Sequence, residues 1–541
     1  MGHRLGLLRR WRLSGKRRLS LNTRLDPAKT ARDPQHFRTH MGQISRHSAA
    51  FFAGTVFTAA AGYLFKVYLS RRLGPEPLGI YALGMTITAL LGILNGPGLY
   101  QASVRFVATY VANGKSQHLR SFLIRSTGFL LATNIVLSSS VLLVGPWIGE
   151  HFYHTKALKP YLWLFALIMF FGALTAFFGQ VLQGYKDVLS RTGITNFIGT
   201  PLMISLTIIL TALGFGLWGY IFAQVVSAAV VLFLLLRMVW KLTPAAARHL
   251  TGALLPLEKE VFTFTTAVFG IGTLEFLLAQ FDKILIGFYI NAREVGIYSV
   301  ITALVAFVPI ALQSVNQMFT PTIADLHSRG EFELLGRLFQ TLTKWVLAFT
   351  LPLATVLIIF AKPMVAIFGP AFVEGWPVLV IGVLGQLINC ATGSVGYLLL
   401  MSGNQRRLFK VQATMTVVMV IINIVAIPRW GIVGAAVATA LATIGTNLWS
   451  LREVRSALGF TPYNRGYARI VPAAVAMVVT TALFRHFGGP GRSNMLFIGG
   501  CAICAYAIFI AIALVSGLDS DDRVVTMAIW RRLRDNVQKT T

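Results

Sequence analysis

Long apolar stretches dominate this sequence and constrain its fold more than any other feature. Fourteen of them are close to the length of about 17–25 residues that an α-helix needs to cross a bilayer. Backbone amides in the bilayer core must bond within their own segment, so such stretches become helices. Short connections make neighbouring spans antiparallel, and the sequence predicts an all-α polytopic membrane protein. The predicted spans are residues 48–69, 78–99, 121–144, 159–183, 194–213, 217–238, 262–290, 295–320, 344–361, 377–400, 410–428, 431–451, 469–484 and 494–516.

Composition supports this class. Apolar residues make up 55% of the 541 residues and charged residues only 12%, about half the charged fraction of a typical soluble domain. No segment between the spans is long enough for a soluble domain. The net charge of +29 would suggest a nucleic-acid partner in a soluble protein. Here no basic segment alternates with aromatic residues on a folded scaffold, so we expect no nucleic acid.

The distribution of basic residues predicts the orientation in the membrane. If the N-terminus is cytoplasmic, the inner loops and both tails, counted with the adjoining span ends, hold 36 of the 48 Lys and Arg residues, and the outer loops counted in the same way hold nine. Three more, Lys66, Arg125 and Lys283, lie well inside spans. Basic residues accumulate on the cytoplasmic side of membrane proteins. Both termini are therefore predicted to be cytoplasmic.

The chain also contains an internal repeat. The tripeptide Gly-Ile-Tyr occurs at 79–81 and again at 296–298, an offset of 217 residues. Gly-Leu-Trp-Gly at 216–219 and Gly-Ile-Val-Gly at 431–434 are related by an offset of 215. An even number of spans separates the copies, so both run in the same direction through the membrane. This predicts two pseudo-symmetric six-helix lobes around a central cavity, followed by two C-terminal helices.

The predicted organisation follows from the spans and the repeat. The arm before the first span holds 12 Lys or Arg and no apolar run, and Met41 within it could serve as the start of the protein. The segments are a flexible cytoplasmic arm (1–47), an N-terminal lobe of spans 1–6 (48–240), a cytoplasmic linker (241–261), a C-terminal lobe of spans 7–12 (262–451), the last two spans (452–516) and a cytoplasmic tail (517–541).

The seventh span is unusual because it carries three charges. Its 29 residues form about 43 Å of helix, and its 15 Ile, Leu, Phe and Val residues favour insertion by roughly 5–9 kcal/mol. Glu275, Asp282 and Lys283 oppose it by about 3 kcal/mol each. The favourable and unfavourable free energies of insertion nearly cancel, so this helix is not expected to face lipid on all sides. We expect its charged face to line an internal, water-filled cavity.

The charged residues of the spans are the candidate site. Glu275 and Asp282 are seven residues apart and share a helix face, where they are candidates for binding a coupling Na⁺ or H⁺. Lys283 and Lys66 are related by the 217-residue offset and are candidates for binding an anion. Two structural alternatives stay open: Asp282 and Lys283 could form a buried pair that joins two helices, and Lys66 could extend to the outer interface.

Outside these spans the sequence offers few chemical groups. Arg105 lies in a segment between spans 2 and 3 that is predicted to be an amphipathic helix at the cytoplasmic membrane edge, and we include it among the candidate substrate-binding residues. Cys501 and Cys504 lie in an apolar run, where we expect them to pack rather than to bind metal. No catalytic residue, metal site or cofactor is predicted.

Two stretches resemble a known family. The sequence SRRLGPEPLGIYAL after the first span, and the run from Asp282 through IGFYINAREVGIYSV to ADLHSRGEFELLGRLFQ, resemble polysaccharide-export proteins of the Wzx flippase type. That family is grouped with the MATE drug exporters and the lipid II flippase MurJ. The resemblance implies two lobes that open a central cavity alternately to either side of a bacterial inner membrane.

The resemblance also implies a substrate, an oligosaccharide on a polyprenyl pyrophosphate that moves to the outer leaflet for cell-surface polysaccharide synthesis. Lys66 and Lys283 would bind the pyrophosphate, and glycosyltransferases and a polysaccharide polymerase would be functional partners. Two other functions remain open. A MATE-type cation-coupled exporter would favour acidic cavity residues over lysines, and a membrane glycosyltransferase or polymerase would need a large outer loop with acid–base groups, which is absent here.

Overall fold

The computed structural model describes residues 61–96, 98–248, 253–463, 470–488 and 495–515, and throughout this part the regular structure is helical, without a strand. The chain divides into two units between Leu64 and Phe65, and the features discussed below belong to the second. The predicted arm, Met41, most of the first span and the tail lie outside the described residues. The prediction of an all-α protein is confirmed.

Nineteen α-helices lie in the part of the chain that the structure describes. They are α1 (61–73), α2 (Pro75–Gly92), α3 (Leu99–Ala112), α4 (Ser116–Trp147), α5 (Leu162–Gly184), α6 (Val188–Thr192), α7 (Thr200–Ala212), α8 (Gly216–Leu242), α9 (Ala245–Arg248), α10 (Lys259–Tyr289), α11 (Ala292–Val305), α12 (Ile310–Ser328), α13 (Phe332–Ile359), α14 (Ala361–Ala366), α15 (Trp376–Thr392), α16 (Val395–Met401), α17 (Gln405–Leu458), α18 (Ile470–Gly488) and α19 (Met495–Val515).

Seven helical segments among these residues are long and apolar enough to cross a membrane, and an eighth results if α11 and the first part of α12 count as one span. Two shorter apolar helices, Pro472–Phe487 and Phe497–Ile512, lie at the predicted last two spans. The protein therefore has the helices of a polytopic membrane protein. The predicted total of fourteen spans is not confirmed, and the lobe and linker boundaries stay predictions.

The predicted eighth span is broken rather than straight. Its two parts, Ala292–Val305 and Ile310–Gln317, meet at an angle of 55°. Pro309 immediately precedes α12, and proline lacks the amide hydrogen that a continuous helix requires and disfavours a helical residue before it. Proline therefore explains the break.

Two other spans show local departures. Within α17 the backbone of Gly431 has φ 59° and ψ −140°, a conformation that favours glycine, and it separates the helices predicted at 410–428 and 431–451. Between α6 and α7 a π-helix covers Gly193–Gly199. Pro201 follows it, and the Ser227 hydroxyl donates to the carbonyl oxygen of Gly199 at 2.8 Å, so a side chain satisfies this backbone group.

The two copies of the repeated tripeptide pack against each other. Helices α2 and α11 are in close contact, and a β-carbon on Gly79 would overlap the carbonyl oxygen of Ala292. A β-carbon on Gly296 would overlap the carbonyl oxygen of Pro75. Adding 217 to Gly79 gives Gly296, and subtracting 217 from Ala292 gives Pro75, so the repeat converts one contact into the other. This is the reciprocal pattern of a two-fold axis. The pseudo-symmetry predicted from the repeat therefore appears in the packing.

Helix α3 has one buried and one exposed face, as predicted. Ala102, Phe106 and Tyr110 are buried, and they belong to a cluster with residues of α4, α5 and α8. Gln101 and Arg105 on the other face are exposed. Val261, in the first turn of α10, also belongs to this cluster. The start of α10 therefore packs with the helices of the N-terminal lobe.

Candidate functional site

The candidate site lies in the second half of α10, near the end that is predicted to face the outer side. Helix α10 is 31 residues long and runs from Lys259 to Tyr289, so its end agrees with the predicted span to one residue. Asp282 and Lys283 occupy its last two turns. The side chain of Glu275, the third predicted charge, lies outside the described residues.

Asp282 is buried, with 7% of its surface exposed. Its Oδ2 accepts a hydrogen bond of 2.6 Å from the hydroxyl of Tyr298 on α11. Its Oδ1 accepts one of 2.7 Å from the backbone N–H of Lys283. Both oxygens therefore have a donor, as a buried carboxylate requires.

The ammonium group of Lys283 has a different partner. Its Nζ donates to the side-chain oxygen of Gln280, one turn earlier on α10, at 3.0 Å. No ion pair between Lys283 and Asp282 is present in the described structure. The buried Asp–Lys pair considered from the sequence is therefore not what joins the helices; the Tyr298–Asp282 hydrogen bond joins α10 to α11 instead.

Lys66 lies on α1 close enough to Lys283 for their positive charges to interact. Its side chain is half-buried. Within the described part of the protein, the Lys66 ammonium group has neither a hydrogen bond nor an ion pair. The structure thus brings together the two lysines that the repeat relates, and the alternative that Lys66 extends to the outer interface stays a prediction. Their role in binding stays a prediction.

Arg105 lies far from these lysines. Its guanidinium forms an ion pair with Glu260 and lies over the ring of Phe264, 5.1 Å from the ring centre. Glu260 precedes Lys283 by 23 residues on α10, which corresponds to about 34 Å along the helix axis. The structure therefore does not group Arg105 with Lys66 and Lys283.

Polar contacts also hold the segment before α10 against the N-terminal lobe. The guanidinium of Arg125 donates to the carbonyl oxygen of Leu254 at 3.0 Å, and the imidazole of His118 lies 3.6 Å from the carboxylate of Glu258. Burial, together with the Glu258 carboxylate, raises the pKa of Tyr110 to about 12, so its hydroxyl stays protonated. Positions 253–260 are therefore attached to α3 and α4 on the predicted cytoplasmic side.

On the predicted outer side the two lobes touch at further points beyond the glycine contact. The rings of Phe152, in the loop after α4, and Phe288, at the end of α10, have centres 4.6 Å apart. The Arg71 side chain donates from Nε to the carbonyl oxygen of Ile367 at 2.6 Å. These contacts lie beyond Lys66 and Lys283 along α1 and α10.

Two polar residues of the candidate site had no assigned role at the sequence level. Tyr298 belongs to the repeated tripeptide, and Gln280 is not among the residues that the sequence singles out. Hydrogen-bond partners across helices depend on tertiary packing, so the tripeptide was the only available signal. Among the described residues, no group of three or more His, Cys, Asp or Glu side chains could hold a metal ion.

Comparison with known proteins identifies the family. The profile of a family described as polysaccharide biosynthesis protein matches residues 68–376, which is more than half of the 541 residues. The chain belongs to the polysaccharide biosynthesis protein family. The match includes α2, α11 and both copies of the Gly-Ile-Tyr tripeptide, where the sequence resemblance was found.

Two relatives of this polysaccharide biosynthesis protein come from Haloferax volcanii. The probable low-salt glycan biosynthesis flippase Agl15 is 23% identical over 469 residues, which cover 84% of this chain and 93% of Agl15. The probable flippase AglR is 24% identical over 236 residues, or 42% of this chain. That second match spans about half of AglR, 49% of its length.

Solved structures show the same fold. The lipid II flippase MurJ in its inward closed conformation superposes with a TM-score of 0.70 and 17% identity, over 86% of this chain and 98% of the MurJ chain. A multidrug resistance MATE family transporter of the MOP superfamily, in an inward-facing conformation, gives a TM-score of 0.58 and 15% identity, over 73% of this chain and 94% of its own. The polysaccharide biosynthesis protein has the same fold as these two proteins.

Proposed function

We propose that the protein flips an oligosaccharide linked to a polyprenyl pyrophosphate from the cytoplasmic to the outer leaflet of the cytoplasmic membrane. The two termini are cytoplasmic in this proposal, and the lobes alternate in opening. The supporting observation is the proximity of Lys66 and Lys283, without a carboxylate bonded to either ammonium group. Two fixed cations whose side chains are half-buried favour a compact dianion such as pyrophosphate.

The charges at the site argue against export of cationic drugs. A cationic substrate would need available carboxylates, whereas Asp282 already accepts bonds from Tyr298 and Lys283. The relatives named as flippases support transport rather than glycosyl transfer. Coupling of transport to H⁺ or Na⁺ through Asp282 and Glu275 is part of the proposal, and glycosyltransferases and a polymerase would supply and consume the lipid-linked glycan.

The test measures transport by the purified protein in liposomes. A fluorescent polyprenyl diphosphate sugar is placed in the outer leaflet of one set of vesicles and in the inner leaflet of another. Lys66→Ala and Lys283→Ala should each slow flipping by about tenfold to a hundredfold, because a hydrogen bond to a charged group contributes about 1.5–3 kcal/mol. Lys115→Ala, at an exposed position, is the control and should match the unsubstituted protein. Normal flipping by both cavity variants would refute the assignment.

A further inference from the structure

The tyrosines of the two tripeptide copies have different partners. In the N-terminal lobe the hydroxyl of Tyr81 donates to the side-chain oxygen of Gln224 at 3.1 Å. In the C-terminal lobe the hydroxyl of Tyr298 donates to the carboxylate of Asp282 at 2.6 Å. The residue that precedes Asp282 by 217 positions is Phe65. Equivalent tyrosines therefore hold a neutral amide in one lobe and a carboxylate in the other.

The carboxylate lies beside the proposed anion site, close enough to Lys283 for their charges to interact, yet it forms no hydrogen bond with the ammonium group. Asp282 directly precedes Lys283 in the chain, yet its two oxygens bond the Tyr298 hydroxyl and a backbone N–H, while the Lys283 ammonium bonds Gln280. Opposite charges attract strongly where water is scarce. A buried carboxylate that lost a donor would turn to the nearest cation, since an unpaired buried charge is unfavourable.

We propose that Tyr298 is a positioning residue that holds Asp282 away from Lys283, so that the ammonium groups of Lys66 and Lys283 stay available to an anionic substrate. This inference rests on the proposed function, because it assumes that the two lysines bind the diphosphate. Tyr298 does not touch the substrate in this arrangement. It acts through Asp282, and its effect on binding depends on the carboxylate being present.

The chemistry predicts a specific dependence between two substitutions. Tyr298→Phe removes only a hydroxyl, after which the freed carboxylate of Asp282 can neutralise Lys283. Asp282→Asn replaces the carboxylate with a neutral amide. An asparagine at this position cannot neutralise Lys283, even when the Tyr298 hydroxyl is absent. The loss caused by Tyr298→Phe should therefore disappear in the presence of Asp282→Asn. A purely structural role for the tyrosine would not produce this rescue.

The experiment measures binding of farnesyl diphosphate to the full-length protein in nanodiscs by calorimetry. Tyr298→Phe should weaken binding by about tenfold or more, the effect expected for losing one charge-assisted contact. Asp282→Asn alone should tighten binding, because it removes a negative charge beside the site. The double variant Tyr298→Phe/Asp282→Asn should bind within about twofold of Asp282→Asn.

The N-terminal lobe provides the matched control. Tyr81→Phe frees Gln224, an amide that cannot neutralise a lysine, so binding should stay within about twofold of the unsubstituted protein. Thermal unfolding of every variant separates lost folding from lost binding. Because Tyr298→Phe could lower stability, the decisive comparison is between Tyr298→Phe and the double variant at a temperature where both are folded.

Three results would overturn the inference. Tyr298→Phe could bind as well as the unsubstituted protein, the double variant could stay as weak as Tyr298→Phe, or Asp282→Asn could weaken binding as much as Lys283→Ala. Failure of the proposed function has a different signature, since Lys66→Ala and Lys283→Ala would then bind farnesyl diphosphate normally. The two proposals can therefore fail separately.

Discussion

Gly79 and Gly296 face each other where α2 crosses α11, and neither position has room for a β-carbon. Small residues allow membrane helices to approach closely enough for backbone contact. Because the two glycines are equivalent in the repeat, a single close contact on the pseudo-two-fold axis joins the lobes on the predicted outer side. In the proposed alternating mechanism, an outward-open state would separate this contact.

The first prediction follows from this steric limit. Gly79→Ala or Gly296→Ala should weaken outer closure, because the added methyl group would overlap backbone atoms of the facing helix. Leu83 is fully buried beside this contact. In a cysteine-free background, the cysteine of Leu83→Cys should react faster with an impermeant maleimide added outside when either alanine is present. Flipping should slow at the same time.

Gly172→Ala is the control for that experiment. Gly172 lies within α5, and a β-carbon there would meet nothing within 4 Å. Alanine at an open helical position is expected to stabilise by about 0.5–1 kcal/mol, and labelling of Leu83→Cys should not change. Unchanged labelling in Gly79→Ala as well would show that the glycine contact does not control outer access.

The second prediction concerns Lys283 and Asp282. After Lys283→Ala, Asp282 keeps the donors it has in this structure, the Tyr298 hydroxyl and a backbone N–H. Lys283→Ala should therefore slow flipping by about tenfold to a hundredfold with little change in the unfolding temperature. Adding Asp282→Ala should not restore transport, and Lys283→Arg should retain part of it because positive charge is kept. Rescue by the double alanine variant would contradict a role for Lys283 in binding pyrophosphate.

The third prediction concerns Arg105. The side chains of Arg105 and Glu260, which form an ion pair, are 49% and 58% exposed. Exposed ion pairs contribute about 0–1 kcal/mol to stability. Arg105→Ala should lower the free energy of unfolding by no more than that. Farnesyl diphosphate affinity should not change, because Arg105 is distant from both lysines. A tenfold loss of affinity would show that Arg105 contributes to binding of the diphosphate.

The fourth prediction tests orientation. Single cysteines at Lys156 and Arg406, both exposed, should label from opposite sides of intact cells. Lys156→Cys should react with an impermeant reagent outside, and Arg406→Cys should react only after permeabilisation. Labelling of Arg406→Cys from outside would reverse the topology predicted from the distribution of Lys and Arg.

The sequence by itself determined the class of the protein, because buried backbone in a bilayer must be helical and long apolar stretches therefore have one solution. It also identified Lys66 and Lys283 as equivalent positions, since a repeat offset can be counted along the chain. Equivalence in a repeat does not specify distance. The proximity of the two lysines became evident only when the lobes were seen packed around their common axis.

Tertiary structure decided which partners the charged residues have. Spacing along α10 placed Asp282 next to Lys283, but a carboxylate bonds to whichever donors helix packing brings to it, and α11 brings Tyr298. The same reason separates Arg105 from the site, because the start of α10 packs in the N-terminal lobe while the end carries Lys283. Helical spacing determines which residues share a face, and only the packing of helices determines what that face meets.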